Sequence, residues 1–203
     1  MMDILVASRN PGKVAELKKL LGHLAVNVLS LDDFDGIPEV IEDGDTYEAN
    51  VLKKARAVYE ATGQIVLADD SGLEVDALRG LPGVRSARFG GEGLTDYERS
   101  MKLLDDIKEI PEEERGATFQ CRLAIVGPGG LEKVVSGSCR GSIIQEPRGG
   151  SGFGYDPIFL PSEYNHTFAE LSPEIKNRIS HRGRALEKAA LFLDGYIYSQ
   201  MQK

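Results

Sequence analysis

Short apolar runs alternate with amphipathic segments through the first third of the chain. Ile4–Ala7, Val26–Leu29 and Ile65–Ala68 are continuous apolar runs typical of buried strands. Between them, apolar residues recur at helical spacing from Val14 to Leu21, and Thr46–Thr62 has the Ala and Lys content of a helix. The chain is therefore predicted to open as strand, helix, strand, helix, strand. The last of these strands runs directly into Asp69-Asp70-Ser71-Gly72, and carboxylates at a strand end commonly face a cleft.

The remaining two thirds contain more glycine and fewer regular patterns. The glycine-rich segment Arg79–Gly93 predicts an ordered loop or a mobile flap, and a helix is predicted from about Thr95 to Ile110. Phe119–Val126 and Lys133–Arg140 flank Gly-Pro-Gly-Gly, the pattern of an antiparallel hairpin, so the strand order becomes mixed. The segment from Ser180 to about Tyr198 predicts a closing helix. No repeat or linker divides the chain, which we expect to form one domain over residues 1–203.

Size and composition are those of a globular protein. The chain has 203 residues, 41% of them hydrophobic, and no apolar run long enough to cross a membrane. Its N-terminus lacks the pattern of a signal peptide, so a cytoplasmic location is expected. Cys121 and Cys139 lie in separate apolar segments without metal-ligand spacing, which predicts two reduced core residues.

The charge balance restricts the class of partner. A formal net charge of −8 argues against the broad basic surface that duplex binding requires. A polymeric nucleic acid is therefore not expected as a partner, and neither is a membrane. A small polyanion remains compatible, because one site needs only a few local cations and a divalent metal ion.

Two clusters in the first half have the chemistry of a phosphate and metal site. Ser8, Asn10 and Lys13 lie between a strand and a helix start, where backbone N–H groups and the helix dipole favour an anion. Acidic residues precede the second helix, and Asp69 and Asp70 follow the third strand; converging carboxylates suit Mg²⁺. The alternatives are a functionless strand-turn-helix and a solvated acidic loop with capping residues.

Two clusters in the second half have the chemistry of a base site. Gly152-Phe153-Gly154-Tyr155-Asp156-Pro157 holds an aromatic ring between glycines, and such a ring can stack on a nucleobase. Lys176 with Ser180-His181-Arg182 provides donors near the start of the last helix. The alternatives are an aromatic turn packed on the core and a basic helix start that faces solvent. All four clusters together provide what a nucleoside triphosphate requires.

The order of these motifs resembles one known family, the inosine triphosphate pyrophosphatases, also called the Ham1 family. The resemblance runs from Ile4 to beyond Arg184. The matching segments are Ser8-Arg9-Asn10-Pro11-Gly12-Lys13, Glu42-Asp43-Gly44 with Thr46, Asn50 and Lys54-Ala55, Ala68-Asp69-Asp70-Ser71-Gly72-Leu73, Pro82-Gly83 with Ser86-Ala87-Arg88, Gly152 to Pro157, and Ser180-His181-Arg182-Gly183. Ala49 departs from the family, whose members often have Glu there, and this puts one supporting contact in doubt.

The resemblance implies an elongated α/β fold with a central mixed sheet flanked by helices, two lobes with a substrate cleft between them, and a homodimer. It implies hydrolysis of non-standard purine nucleoside triphosphates (ITP, dITP, XTP) to the monophosphate and pyrophosphate, with Mg²⁺ or Mn²⁺. Asp70 corresponds to the general base, and Glu42 and Asp70 to metal ligands. Substrate contacts correspond to Ser8, Arg9, Asn10, Pro11, Gly12, Lys13, Lys54, Ser71, Phe153, Gly154, Tyr155, Asp156, Lys176, His181 and Arg182.

The chemistry of the substrate explains why these residue types are needed. Cations must offset the triphosphate charge, and water must be activated, although an ordinary Asp pKa near 4 makes Asp70 a weak base. A 6-oxo purine presents an acceptor where adenine presents an amino donor, so donors such as His181 and Arg182 favour the former. Two alternatives stay open: a Maf-like pyrophosphatase of different base specificity, and a nucleotide-binding sensor without turnover.

Overall fold

The computed structural model contains both strands and helices and describes residues 2–22, 24, 26–37 and 39–202. The strands within this part are β1 (Met2–Ala7), β2 (Val26–Ser30), β3 (Ile65–Val75), β4 (Gly116–Gly127), β5 (Leu131–Ile143) and β6 (Phe159–Pro161). The helices are α1 (Pro11–Leu21), α2 (Tyr47–Thr62), α3 (Asp96–Asp106), α4 (Pro173–Ile179) and α5 (His181–Met201).

The strands form a mixed sheet with the order β2-β1-β3-β4-β5-β6. β1 pairs in parallel with β2 and β3, whereas β5 and β6 are antiparallel. β4 and β5 are neighbours joined only by Pro128–Gly130, and so short a connection can join only antiparallel strands. The predicted hairpin and the predicted α/β class with a mixed sheet are both confirmed.

The chain separates into two compact units. Unit 1 contains Met1–Asp70, Cys121–Gly137 and Arg182–Lys203, and unit 2 contains Ser71–Gln120 and Ser138–His181. β3, β4 and β5 therefore each contribute residues to both units. The expectation of one domain over residues 1–203 stays a prediction.

Unit 1 has helices on both faces of its strands. Ile4 and Val6 of β1 pack with apolar residues of α1 and α5, whereas Leu5 and Ala7, which alternate with them, pack with residues of α2. The same alternation holds for the first four residues of β3. Both faces of these strands are buried, and this explains why their sequences read as continuous apolar runs.

Unit 2 is built around an aromatic group. The rings of Phe119, Phe159 and Phe168 lie 4.7–5.8 Å apart between centroids, and residues of α3 belong to the same core. Cys139 lies in this core, and Cys121 lies in the core of unit 1. Both cysteines are buried and neither is in a disulfide, as predicted.

Strand β3 is longer than the sequence pattern indicated. We expected it to end at Ala68 with the two aspartates beyond it, but it continues through Asp69 and Asp70 to Val75. Leu73 and Val75 are fully buried, so the apolar core resumes after the polar residues. The aspartates therefore lie inside a strand, where their side chains are held on alternate faces.

Three other elements differ from the predictions. α3 ends at Asp106 and not near Ile110, and beyond its end the buried guanidinium of Arg115 donates to the carbonyl groups of Lys108 and Ile110. α4 and β6 were not predicted. α4 begins with a Ser172 cap and Pro173, a helix-start signal visible in the sequence.

Among the described residues, no helix is long and apolar enough to span a membrane.

Candidate functional site

The first predicted phosphate segment forms the start of α1. Only Ser8–Asn10 lie outside regular structure, because the helix begins at Pro11. The Asn10 carboxamide caps the helix by accepting the Lys13 backbone N–H at 3.1 Å, and the Asn10 N–H donates to the Ser8 hydroxyl at 3.2 Å. This capping fixes the direction in which Lys13 leaves the helix. Arg9 is exposed.

Asp69 is the centre of a buried group of charges in unit 1. Its carboxylate lies 3.1 Å from the Lys13 ammonium and 3.3 Å from Arg182 Nε, and its backbone carbonyl accepts Lys54 Nζ at 2.6 Å. Burial alone would raise the pKa of Asp69, but Lys13, Arg182 and Lys54 outweigh it and hold that pKa well below its ordinary range. Asp69 is therefore a fixed negative charge that gathers three cations.

The Arg182 guanidinium is buried between two carboxylates. Its Nη1 donates to Glu16 at 2.5 Å, and its Nε faces Asp69. Burial lowers the pKa of Arg182, but Asp69 and Glu16 together raise it above the ordinary value. Sequence reasoning missed both Glu16 and Asp69 as partners. Only helical spacing from Lys13, which puts Glu16 one turn further along α1, could have suggested Glu16.

Asp70 lies in a different environment from its neighbour. It is 6% exposed, and its Oδ2 has no hydrogen-bond partner among the described residues. Burial, followed by repulsion from Glu42, raises the pKa of Asp70 to about 6, against the attraction of Lys54 and Lys13. This corrects the expectation of an ordinary aspartate, because a carboxylate with this pKa is a stronger base and is still ionised at neutral pH.

The acidic segment before α2 is fixed by the helix itself. Lys54 Nζ donates to Glu42 at 2.6 Å. The buried Asn50 carboxamide accepts the Gly44 N–H at 2.7 Å and donates to the Gly44 carbonyl at 3.3 Å. Burial lowers the pKa of Lys54, but Asp69 and Glu42 raise it further than burial lowers it, so the ammonium stays charged. Asp43 pairs with Lys53 at the surface.

The carboxylates of Asp70 and Glu42 fit a divalent metal ion. The two carboxylates repel each other, and one buried Asp70 oxygen accepts no hydrogen bond from the described residues; a cation would relieve both conditions. The described residues contain no group of three or more His, Cys, Asp or Glu suited to a metal. Two carboxylates suffice for Mg²⁺, which normally completes its coordination with water and substrate phosphates.

The glycine-rich segment in unit 2 is folded around Asp156. Its carboxylate accepts the Phe153 N–H at 2.9 Å, and a Cβ at Gly152, where φ is +81°, would collide with the same carboxylate. The Tyr155 hydroxyl donates to the Ser86 carbonyl at 2.9 Å. The segment is thus a built loop, held on two sides.

Lys176 joins this loop from α4. Its ammonium lies 2.7 Å from the Asp156 carboxylate and 4.8 Å from the centre of the Phe153 ring. His181, at the start of α5, stacks on Phe119 with 4.6 Å between ring centres and 7° between planes. Unit 2 therefore combines an aromatic ring with an ammonium and an imidazole, the combination expected of a base site.

The structure groups the predicted residues into two sets. Unit 1 brings Lys13, Lys54, Glu42, Asp70 and Arg182 around Asp69. Unit 2 brings Phe153, Asp156 and Lys176 together and places His181 against Phe119. Arg182, predicted to read the base, has carboxylate partners in unit 1. Ser71 follows Asp70 in β3. The substrate-contact roles of these residues stay predictions.

Comparison with known proteins identifies relatives along nearly the whole chain. Residues 4–192 match the sequence model of the Ham1 family. A dITP/XTP pyrophosphatase from Desulforamulus reducens is 49% identical over 98% of this chain and 100% of its own. Another from Geobacter sulfurreducens is 51% identical over 92% and 94%.

Solved structures of similar proteins have the same fold. The HAM1 protein from Coxiella burnetii superposes with a TM-score of 0.86 and 41% identity, covering 95% of this chain and 98% of its own. The nucleoside-triphosphatase / dITP/XTP pyrophosphatase from Mycobacterium abscessus gives a TM-score of 0.75 at 49% identity over 93% and 98%.

We predict that Asp70→Asn stabilises the metal-free protein at neutral pH. Because the pKa of Asp70 is raised to about 6 in the folded chain, its contribution to stability is present below pH 4 and is lost as the pH rises through 6. The gap from its ordinary value corresponds to about 3 kcal/mol. Denaturant unfolding in EDTA should show Asp70→Asn more stable at pH 7.5, with the gain shrinking towards pH 4.5.

Asp69→Asn is the matched control and should have the opposite sign. Its folded pKa is held low by Lys13 and Arg182, so the charged form stabilises the fold at neutral pH. Removing it leaves buried cations without their partner, which costs about 3 to 5 kcal/mol. Equal stability of the parent and Asp70→Asn at pH 7.5 would contradict the raised pKa.

Proposed function

Because the chain belongs to the Ham1 family, we propose that it hydrolyses non-standard purine nucleoside triphosphates such as dITP, XTP and ITP to the monophosphate and pyrophosphate. The observation that carries this proposal is the pair of adjacent aspartates in β3. One gathers cations suited to phosphates, and the other is a buried carboxylate with a pKa of about 6. The name dITP/XTP pyrophosphatase is shared by relatives of about half identity.

The phosphate end of the substrate is proposed to bind at Lys13 and Lys54. Both ammonium groups are held by Asp69, through its carboxylate and its backbone carbonyl. A triphosphate carries several negative charges, so it would compete with the single Asp69 carboxylate for Lys13. Two preorganised cations offset the repulsion that slows attack on a polyanion, and they need no rearrangement during the reaction.

Asp70 is proposed to accept the proton of the attacking water. The water oxygen forms a bond to the α-phosphorus, the bond from that phosphorus to the bridging oxygen breaks, and pyrophosphate leaves. With a pKa of about 6, Asp70 is about nine-tenths ionised at pH 7 and is a stronger base than an ordinary aspartate. Its buried position limits competing contacts with solvent.

Mg²⁺, or Mn²⁺ in its place, is the proposed cofactor, with Glu42 and Asp70 as the residues that would hold it. When bound, it supplies positive charge to the phosphates and lowers the pKa of water. Lys54 contacts Glu42 directly, so the carboxylate is positioned by α2 before any ligand arrives.

The base is proposed to be read by hydrogen-bond donors, of which Lys176 lies beside the Phe153 ring. Lys176 carries three N–H donors and no acceptor, and His181 and Arg182 follow at the start of α5. A 6-oxo group accepts from such donors, whereas the 6-amino group of adenine would face donor against donor. A homodimer and a cytoplasmic location remain predictions.

A triphosphate panel tests the proposed function. With Mg²⁺, dITP, XTP and ITP should release pyrophosphate in equal amounts with the monophosphate, with no orthophosphate, and ATP should react far more slowly. Separate detection of pyrophosphate and orthophosphate provides the measurement. Release of orthophosphate, or a preference for pyrimidine nucleotides as in a Maf-like enzyme, would contradict it, and binding without turnover would indicate a sensor.

Asp70→Asn should lower kcat by about a hundredfold or more, the scale of general base catalysis, while dITP binding stays measurable. The variant is expected to fold at least as well as the parent, so the loss is not explained by unfolding. Single-turnover release of pyrophosphate checks it. Activity within a few-fold of the parent would remove Asp70 from the mechanism.

Arg182→Ala should narrow the ratio of kcat/KM between ITP and ATP by about tenfold or more, since one base-edge donor is worth roughly 1 to 3 kcal/mol. Its ion pairs with Asp69 and Glu16 also predict a lower Tm. If the alanine variant folds poorly, the ratio can be measured with Arg182→Lys, which keeps the positive charge. A purely structural role lowers activity on both nucleotides in proportion and leaves the ratio unchanged.

A further inference from the structure

Helix α3 contacts the loop that carries Phe153 through two polar side chains. The Asp96 carboxylate accepts the Gly154 N–H at 2.7 Å, and the Ser100 hydroxyl donates to the Gly154 carbonyl at 3.3 Å. Residues four apart on a helix lie on one face, one turn above the other. Asp96 and Ser100, here named the α3 pair, therefore hold both backbone polar groups of a single residue.

The α3 pair is itself firmly placed. Asp96 is the first residue of α3, where the positive end of the helix dipole stabilises an ionised carboxylate, and Ser100 is buried. Between them in sequence, the buried Arg99 guanidinium donates to the carbonyls of Phe89 at 3.0 Å and Leu94 at 2.7 Å. The helix is thus tied to the preceding segment of the chain at the turn that provides the pair.

Gly154 is the loop residue that the α3 pair restrains. It follows Phe153 directly and has φ of +61°, one of several regions that glycine visits freely. Phe153 itself is held by its own N–H bond to Asp156, by the Asp156 N–H that its carbonyl accepts at 3.3 Å, and by the Lys176 ammonium over its ring. The bonds of Gly154 to the α3 pair add a restraint on the next residue, so the loop keeps less freedom before a ligand binds.

We propose that Asp96 and Ser100 are positioning residues for base recognition, acting through Gly154 on the Phe153 ring. This inference rests on the proposed function, in which Phe153 stacks on the purine. The α3 pair touches neither the base nor the phosphates; it determines how much ordering the ring undergoes when the base arrives. Its loss therefore weakens nucleotide binding and leaves the chemical step at the phosphates in place.

Asp96→Ala and Ser100→Ala test the proposal with dITP and Mg²⁺. We expect each to raise KM by about tenfold, with kcat within about twofold of the parent. The Kd for dITP should rise by about tenfold as well when calorimetry is done in the Asp70→Asn background, where turnover is slow. Glu98→Ala is the matched control: Glu98 completes the Thr95 capping box of the same helix turn and does not contact Gly154 in any described bond. It should lower Tm like the other two variants and leave KM unchanged.

A double-mutant cycle with Phe153→Ala separates positioning from a general structural role. If the α3 pair acts through Phe153, Asp96→Ala adds less than twofold to KM once the ring is gone, although alone it costs about tenfold. Additive effects, or a KM change in Glu98→Ala equal to that in Asp96→Ala, would overturn the inference. A parent that binds dITP without releasing pyrophosphate would refute the proposed function alone, because the Kd comparison still decides the inference; a parent that does not bind dITP would refute both.

Discussion

The alternation of side chains along β3 is the constraint on which the candidate site depends. Successive residues of a strand point to opposite faces, so Asp69 continues the face that carries Ile65 and Leu67, and Asp70 continues the face of Val66 and Ala68. The first face meets α1 and α5, which provide Lys13 and Arg182. The second face meets α2 and the segment before it, which contains Glu42. Two identical side chains, adjacent in sequence, thereby acquire pKa values on opposite sides of their ordinary value.

This difference divides the chemistry between the two aspartates. Asp69 stays ionised at all physiological pH and organises cations that would otherwise repel one another. Asp70 is held in an environment that disfavours its charge, and the same burial and repulsion raise its pKa. The stability lost at Asp70 is offset by the ion pairs around Asp69, so the fold supports a carboxylate that by itself destabilises it.

In unit 2, polar contacts hold the loop that carries the Phe153 ring. Glycines at 152 and 154 allow the backbone to turn tightly, and the polar groups of that backbone are then taken up by Asp156, Asp96 and Ser100. Lys176 balances Asp156 and lies over Phe153. The loop that carries Phe153 is therefore ordered by charge and hydrogen bonds next to an aromatic core.

The sequence by itself determined the mixed α/β class, the start of α2 near Thr46, the β4–β5 hairpin and the identity of the charged clusters, because these depend on local periodicity, composition and turn residues. It could not predict that Glu16 lies beside Arg182, 166 positions away, or that the pKa of Asp70 is raised. Ion pairing and desolvation arise only when distant segments pack together. It also ended β3 too early, since the polarity of Asp69 and Asp70 hides a strand whose partners come from elsewhere in the chain. Only the tertiary structure decides which carboxylate is paired with cations and which has a raised pKa, because burial and charge are properties of the surroundings and not of the residue type.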